Sequence, residues 1–229
     1  MPVDTAAHRP SAAPDRIARW IDRLATGLVL LGWIAGLGSV AYVVNGATQA
    51  PATVKVPVLL AAEPSAGWGN VQLELPGVEI PDGWVSGAEP TGGVNVDSRV
   101  TLAAWGSTRA EQVLARGSGL VGGIAFLAGA LLLQPVLRAV AGGRPFAPGS
   151  SRRIAWSAAV VGVAGVVAPL LPQWAGLLVL ARTGLDANPT FAGVVQLSFD
   201  SVWVAVLVLV VAVAFAAGER MTRDVEGLV

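Results

Sequence analysis

"LATGLVLLGWIAGLGSVAYVV", residues 24–44, contains no Asp, Glu, Lys, Arg or His. At 1.5 Å per residue, about 20 apolar residues cross the roughly 30 Å hydrocarbon layer of a bilayer. Three more runs reach that length, residues 117–137, 154–181 and 194–217, and their only ionisable side chain is Asp200, near the start of the last. Hydrocarbon offers a backbone no hydrogen bonds, so each run is predicted to be a helix despite valines that favour strand in water. The first run exceeds the 7 to 15 apolar residues of a secretory signal, so it is expected to stay as an anchor.

Composition agrees. Of 229 residues 54% are hydrophobic and only 13% charged, against about 25% charged in soluble domains. Fifteen basic residues balance fifteen acidic ones, so no direct nucleic-acid binding is expected. Without cysteine the chain has no disulfide, zinc-thiolate or thiol chemistry. Its one histidine, His8, lies in a polar leader. The acids left for catalysis, Glu63, Glu74, Glu79, Asp82, Glu89 and Asp97, are scattered and lack a base-orienter pattern. We therefore expect no enzyme, no cofactor and no metal site.

Arginines set the expected orientation. Arg9, Arg16, Arg19 and Arg23 precede the first run, and Arg138, Arg144, Arg152 and Arg153 lie between the second and third, which places both segments in the cytoplasm. The predicted order is a cytoplasmic leader (1–23), helix (24–44), extracytoplasmic insertion (45–116), helix (117–137), cytoplasmic loop (138–153), helix (154–181), extracytoplasmic loop (182–193), helix (194–217) and cytoplasmic tail (218–229). The insertion has four bases of its own, but segments that long translocate largely regardless of charge. Aromatics fall at both boundaries: Trp20, Phe146, Trp156 and Phe215 inside, and Tyr42, Trp174, Phe191, Phe199 and Trp203 outside. The fold class is thus an α-helical integral membrane protein, with four transmembrane helices and a small β-rich extracytoplasmic insertion between helices 1 and 2.

Within the insertion "TVKVPVLL", "NVQLELPGVEI" and "GGVNVDSRVTLAAW" alternate in polarity between turn-forming clusters and read as short strands. So small a sheet without disulfides is expected to rest on the outer helix ends or on a second copy of itself. "TRAEQVLARGSG" reads as a short helix leading into the second span. Trp68, Trp84 and Trp105 form either a ligand-stacking surface or a small core. Gly32/Gly36, Gly119/Gly123 and Ala158/Gly162 are expected to let helices approach closely, and Pro169 and Pro172 to kink or end the third helix.

The loop "AVAGGRPFAPGSSRRI", residues 139–154, is not a phosphate-binding P-loop: it has no lysine, no preceding strand and the wrong glycine spacing. Gly142 and Gly143 should end one helix, and Ser150 or Ser151 should cap the next. Phe146, between two prolines, is more specific than a hinge requires.

"GGRPFAPGSSRRI", together with the ending "GERMTRDVEGLV", resembles the DUF2975 family of bacterial integral membrane proteins. Gly143, Pro145, Phe146 and Arg153 match the family's loop; Gly218, Asp224, Glu226, Leu228 and Val229 match its end. Gly149 and Ser150 stand where many relatives carry Asn. The resemblance implies four spans in a bacterial inner membrane and, as a partner, a small cytoplasmic helix-turn-helix regulator. Candidate docking residues are then Gly143, Arg144, Pro145, Phe146, Arg152, Arg153, Asp224, Glu226, Leu228 and Val229. The expected function is regulatory or sensing; the alternative is a small-solute transporter or channel subunit acting as a homo-oligomer. Against that alternative, the runs lack the intramembrane charges that mark transport paths, and Gln134, Gln173 and Gln196 lie near span ends.

Overall fold

The first three apolar runs each lie in a helix longer than the run itself, and the fourth lies in a helix from residue 200 onward. The computed structural model describes residues 13–60, 99–187, 191–193 and 195–226. Its helices are α1 (Ala13–Thr48), α2 (Arg109–Ala141), α3 (Ser150–Thr183) and α4 (Asp200–Glu226), all four long and apolar enough to cross a membrane. "TRAEQVLARGSG" is not a separate helix but the opening turns of α2. Its start is fixed by a reciprocal cap, in which the Glu111 amide donates to Thr108 Oγ1 at 3.2 Å and the Thr108 amide to Glu111 Oε2 at 2.9 Å. Pro169 and Pro172 do not end α3, which runs on to Thr183. The last helix starts at Asp200 rather than at 194 and carries on through the tail as far as Glu226.

Helices pack in chain order, α1 on α2, α2 on α3 and α3 on α4, so they form a row with α1 and α4 at its edges. The edge helices expose large apolar side chains such as Ile34 and Leu37 on α1 and Leu207 and Val210 on α4. Small residues close the seams. A Cβ on Gly32 would come within 3.2 Å of Ala130, one on Gly36 within 3.1 Å of Leu127, and one on Gly123 within 2.6 Å of the Ala35 carbonyl. Gly162 meets Ala205 in the same way, whereas Gly119 faces open space and takes no part. Gly32, Gly36 and Gly123 are thus spent on contacts inside the chain.

At one end, hereafter the sheet end, β1 (Val54–Leu60) pairs antiparallel with β2 (Arg99–Ala104) and with β3 (Phe191–Ala192), in the order β2-β1-β3. The register joins Val54 to Ala104 and Leu60 to Phe191. Two strands match the expected segments; "NVQLELPGVEI" lies outside the described residues, and β3, from the α3–α4 connection, was not foreseen. Val54, Val56 and Val58 alternate inward with at most 2% exposure, each such burial stabilising by roughly 1.5 to 3 kcal/mol. They pack with Leu102, Ala104, Leu185 and Phe191 on Ala175, Val179 and Leu180 of α3. Gly176 lets the Pro57 carbonyl approach, since a Cβ there would lie 2.7 Å from that oxygen. Of the two supports expected, the sheet rests on a helix end. Phe191 accordingly belongs to this core and not to an outer aromatic belt.

Candidate functional site

Polar side chains concentrate at both ends of the row. At the sheet end Glu111 and Gln112 are 2% and 1% exposed. Arg182 Nε donates to Glu111 Oε1 at 2.8 Å, and its Nη1 donates to the Trp105 carbonyl at 3.2 Å. Gln112 Nε2 donates to Ser107 Oγ at 2.6 Å and to the Thr53 carbonyl at 3.3 Å, while Gln112 Oε1 accepts from Arg116. Ser107 Oγ donates to the Ala52 carbonyl at 2.6 Å, and Arg116 lies 5.3 Å from the centre of the Tyr42 ring. The network binds the end of α1, the start of β1, the β2–α2 junction and the end of α3. Nearby, Gln173 Nε2 donates to the Gln196 carbonyl at 3.1 Å and Gln173 Oε1 accepts from the Gln196 amide at 2.6 Å, which ties down the α3–α4 connection. No buried side-chain polar atom among the described residues lacks a partner. With every group satisfied, this end reads as a joint.

The opposite end, hereafter the loop end, is built differently. After α2 the Gly143 amide donates to the Val140 carbonyl at 3.0 Å and the Arg144 amide to the Ala139 carbonyl at 2.9 Å. Gly143 stands at φ +72°, so these two bonds form a Schellman close that a side-chain-bearing residue would strain. Two turns follow. The Ala147 amide donates to the Arg144 carbonyl across Pro145 and Phe146, and the Ser150 amide donates to the Ala147 carbonyl across Pro148 and Gly149. Pro148 supplies a preset φ, and Gly149, at φ +86° and ψ 0°, occupies the position where a type II turn calls for glycine.

These turns aim Phe146 at α4. Its ring meets Phe215 edge-on, with centroids 5.6 Å apart and planes at 62°, a favoured aromatic geometry. It also lies against the bare backbone of Gly218, where any Cβ would collide with the ring. One residue on, Glu219 Oε1 accepts from the Ser151 amide at 2.7 Å and Oε2 from the Gly149 amide at 3.5 Å. Neither Ser150 nor Ser151 caps α3 through its side chain, contrary to the sequence expectation. A carboxylate 68 residues further along the chain does so, satisfying open amides at the positive end of the helix dipole. Glu219 lies just past the apolar run that stops at Ala217 and is 8% exposed. Burial pushes its carboxyl up, but the Ser151 amide and hydroxyl, the Gly149 amide and the Arg223 charge outweigh it and hold the pKa below its ordinary value.

The predicted docking residues therefore separate. Phe146 forms a clasp with Phe215, Gly218 and Glu219 of α4 and keeps 40% of its surface exposed. Gly143 shapes the loop, Pro145 directs the first turn, and Arg144, Arg152, Arg153 and Asp224 are exposed around them. Only the backbone of Glu226 is described; Leu228 and Val229 lie outside the described residues, as do Trp68 and Trp84. Trp105 is 57% exposed beside the sheet-end joint. Three clasp residues, Phe215, Gly218 and Glu219, were not among the candidates. Their sequence signal is a glycine and an acid placed directly after an apolar run, which becomes informative only once the loop is known to face them. Among the described residues no three His, Asp or Glu side chains gather as a metal site.

Comparison of the chain with known protein families, curated proteins and solved structures yields no match.

Proposed function

We propose that the protein is a non-enzymatic, regulatory or sensing protein of the bacterial inner membrane. It crosses the membrane four times with both termini in the cytoplasm, and relays an extracytoplasmic state at the sheet end to a cytoplasmic partner such as a small helix-turn-helix regulator. The observation that carries this reading is the clasp. Phe146, Gly218 and Glu219 join the two stretches on which the DUF2975 resemblance rests into one surface, with 40% of Phe146 still exposed for a partner.

α3 supplies the mechanical link. Its 34 residues, about 51 Å at 1.5 Å each, bear the sheet core at Ala175, Val179 and Leu180 and receive Glu219 at the other end. A shift of β1 on α3 is felt at the first turn of the same helix. The placement of the arginines supports the orientation.

Two experiments test the reading. In affinity purification from native membranes a DNA-binding protein should co-purify with the intact chain and be lost with Phe146→Ala or after deletion of residues 222–229. Capture that survives both changes removes the docking surface. The chain has no cysteine, so Ala147→Cys gives a unique label site. It should resist a membrane-impermeant maleimide in intact cells, and labelling from outside inverts the orientation.

A further inference from the structure

Residues 16–20 read RIARW and residues 152–156 read RRIAW. In each an arginine precedes a tryptophan by four residues, in a helix that leaves the loop end of the row toward the sheet end. Four residues are little more than one turn, so Arg16 stands over Trp20 and Arg152 over Trp156 on one helix face. Each arginine lies about 6 Å further outward than its ring. Arg153, three residues before Trp156, extends the second face; Arg23, three residues after Trp20, lies about 4.5 Å further inward than that ring.

Neither ring is core. Trp20 is 64% and Trp156 55% exposed, and Arg16, Arg23, Arg152 and Arg153 are exposed as well. None of these four arginines forms an ion pair with another described residue. Arg152 and Arg153 also sit at the positive end of the α3 dipole, where cations are disfavoured. The carboxylate that reaches the first turn of α3, Glu219, is already engaged by the Gly149 and Ser151 amides. Their charge calls for an anion from outside the chain, on a surface whose next turn inward is an indole. That layering matches a bilayer boundary, with guanidinium at phosphate depth and the amphipathic ring just beneath it.

We propose that Arg16 with Trp20, and Arg152 and Arg153 with Trp156, are two binding sites for the headgroups of anionic phospholipids in the leaflet at the loop end. The proposal rests on the reading that the row spans the membrane. A net-negative headgroup is selected because a zwitterionic one brings its own ammonium group to the guanidinium.

The test is tryptophan quenching in the full-length protein, reconstituted in phosphatidylcholine vesicles in which one lipid in five carries bromine on its acyl chains near the glycerol. The brominated lipid is either phosphatidylglycerol or phosphatidylcholine. Phosphatidylglycerol should quench in excess, reflecting a local enrichment of about fivefold per arginine engaged. Arg16→Gln/Arg152→Gln/Arg153→Gln should abolish that excess, as should Trp20→Phe/Trp156→Phe, while Arg109→Gln at the sheet end should leave it intact. Equal quenching by the two lipids overturns the sites, as does an excess that survives the arginine or tryptophan changes or is lost with Arg109→Gln. No quenching by brominated phosphatidylcholine would mean that the row is not in the bilayer, and would overturn the membrane reading with it.

Discussion

At the sheet end Ser107, Glu111, Gln112, Arg116 and Arg182 bond to one another and to nearby backbone, and Glu111 and Gln112 have almost no exposed surface. At the loop end Glu219 is the only buried ionisable side chain among the described residues, and exposed arginines surround it. Buried polar groups with all partners present resist change, because losing one strands another in a poorly solvating environment. A clasp made of one ring on a glycine and one carboxylate on two amides has far less to lose. The comparison assigns rigidity to the sheet end and adjustability to the loop end, the end at which the proposed partner would dock.

The sharpest way to break that comparison is Arg182→Ala. It leaves the Glu111 carboxylate, 2% exposed, without its cation, and removal of one partner from a buried pair costs roughly 3 to 5 kcal/mol. Arg182 keeps 29% of its side chain exposed, so the lower end, about 3 kcal/mol, is expected in detergent-titrated unfolding of the purified protein. Less loss than at the clasp would reverse the assignment of the two ends.

Gly218→Val comes next. A branched Cβ in the seat of Phe146 must expel the ring, and overpacking of this kind costs about 1 to 3 kcal/mol. Once the ring is out, Phe146→Ala should add little, so a double-mutant cycle should give strong coupling. Additive effects would mean that ring and glycine are not one unit.

These two sites differ in how visible they were in the sequence. The four long apolar helices were legible because their runs of hydrophobic residues are long and almost free of charge. Their ends were not, because α2 and α4 continue as ordinary helices into polar sequence. T-R-A-E at 108–111 is a cap signature that local reading could have used to start α2. Nothing local betrays the cap of α3, which comes from Glu219 across 68 residues, or β3, which is two residues long. Trp68 and Trp84, the other rings of the expected ligand surface, lie outside the described residues, so that surface is represented by Trp105 alone. The loop was singled out for Phe146, and the counterpart of that ring on α4 emerged only from packing.

Glu219→Gln should cost less, about 1 kcal/mol, the usual scale for a lost helix cap. The same change exposes a pH dependence. The folded pKa of Glu219 is lowered, so the clasp's ionic stabilisation is complete above the unfolded carboxylate value, about 4.3, and fades as pH falls through the lower folded value. Unfolding measured from pH 6 downward should show an acid-sensitive component near and below about pH 4 that Glu219→Gln lacks. An identical acid profile in both proteins would remove the carboxylate from the clasp.

The smallest effect is expected at Asp22→Asn. Asp22 Oδ1 lies 3.3 Å from Arg138 Nε and joins α1 to α2 at the loop end, yet the two side chains are 59% and 52% exposed. Water and salt already solvate both charges, so such a pair contributes about 0 to 1 kcal/mol. Asp22→Asn should therefore shift unfolding by less than Glu219→Gln, and the small shift should vanish as salt rises. This pair and the clasp share an end of the molecule and a charge type but differ in burial and in the backbone amides that Glu219 engages. Equal costs for the two substitutions would show that those features do not set the strength of the loop end, and the contrast with the joint around Glu111 would lose its physical basis.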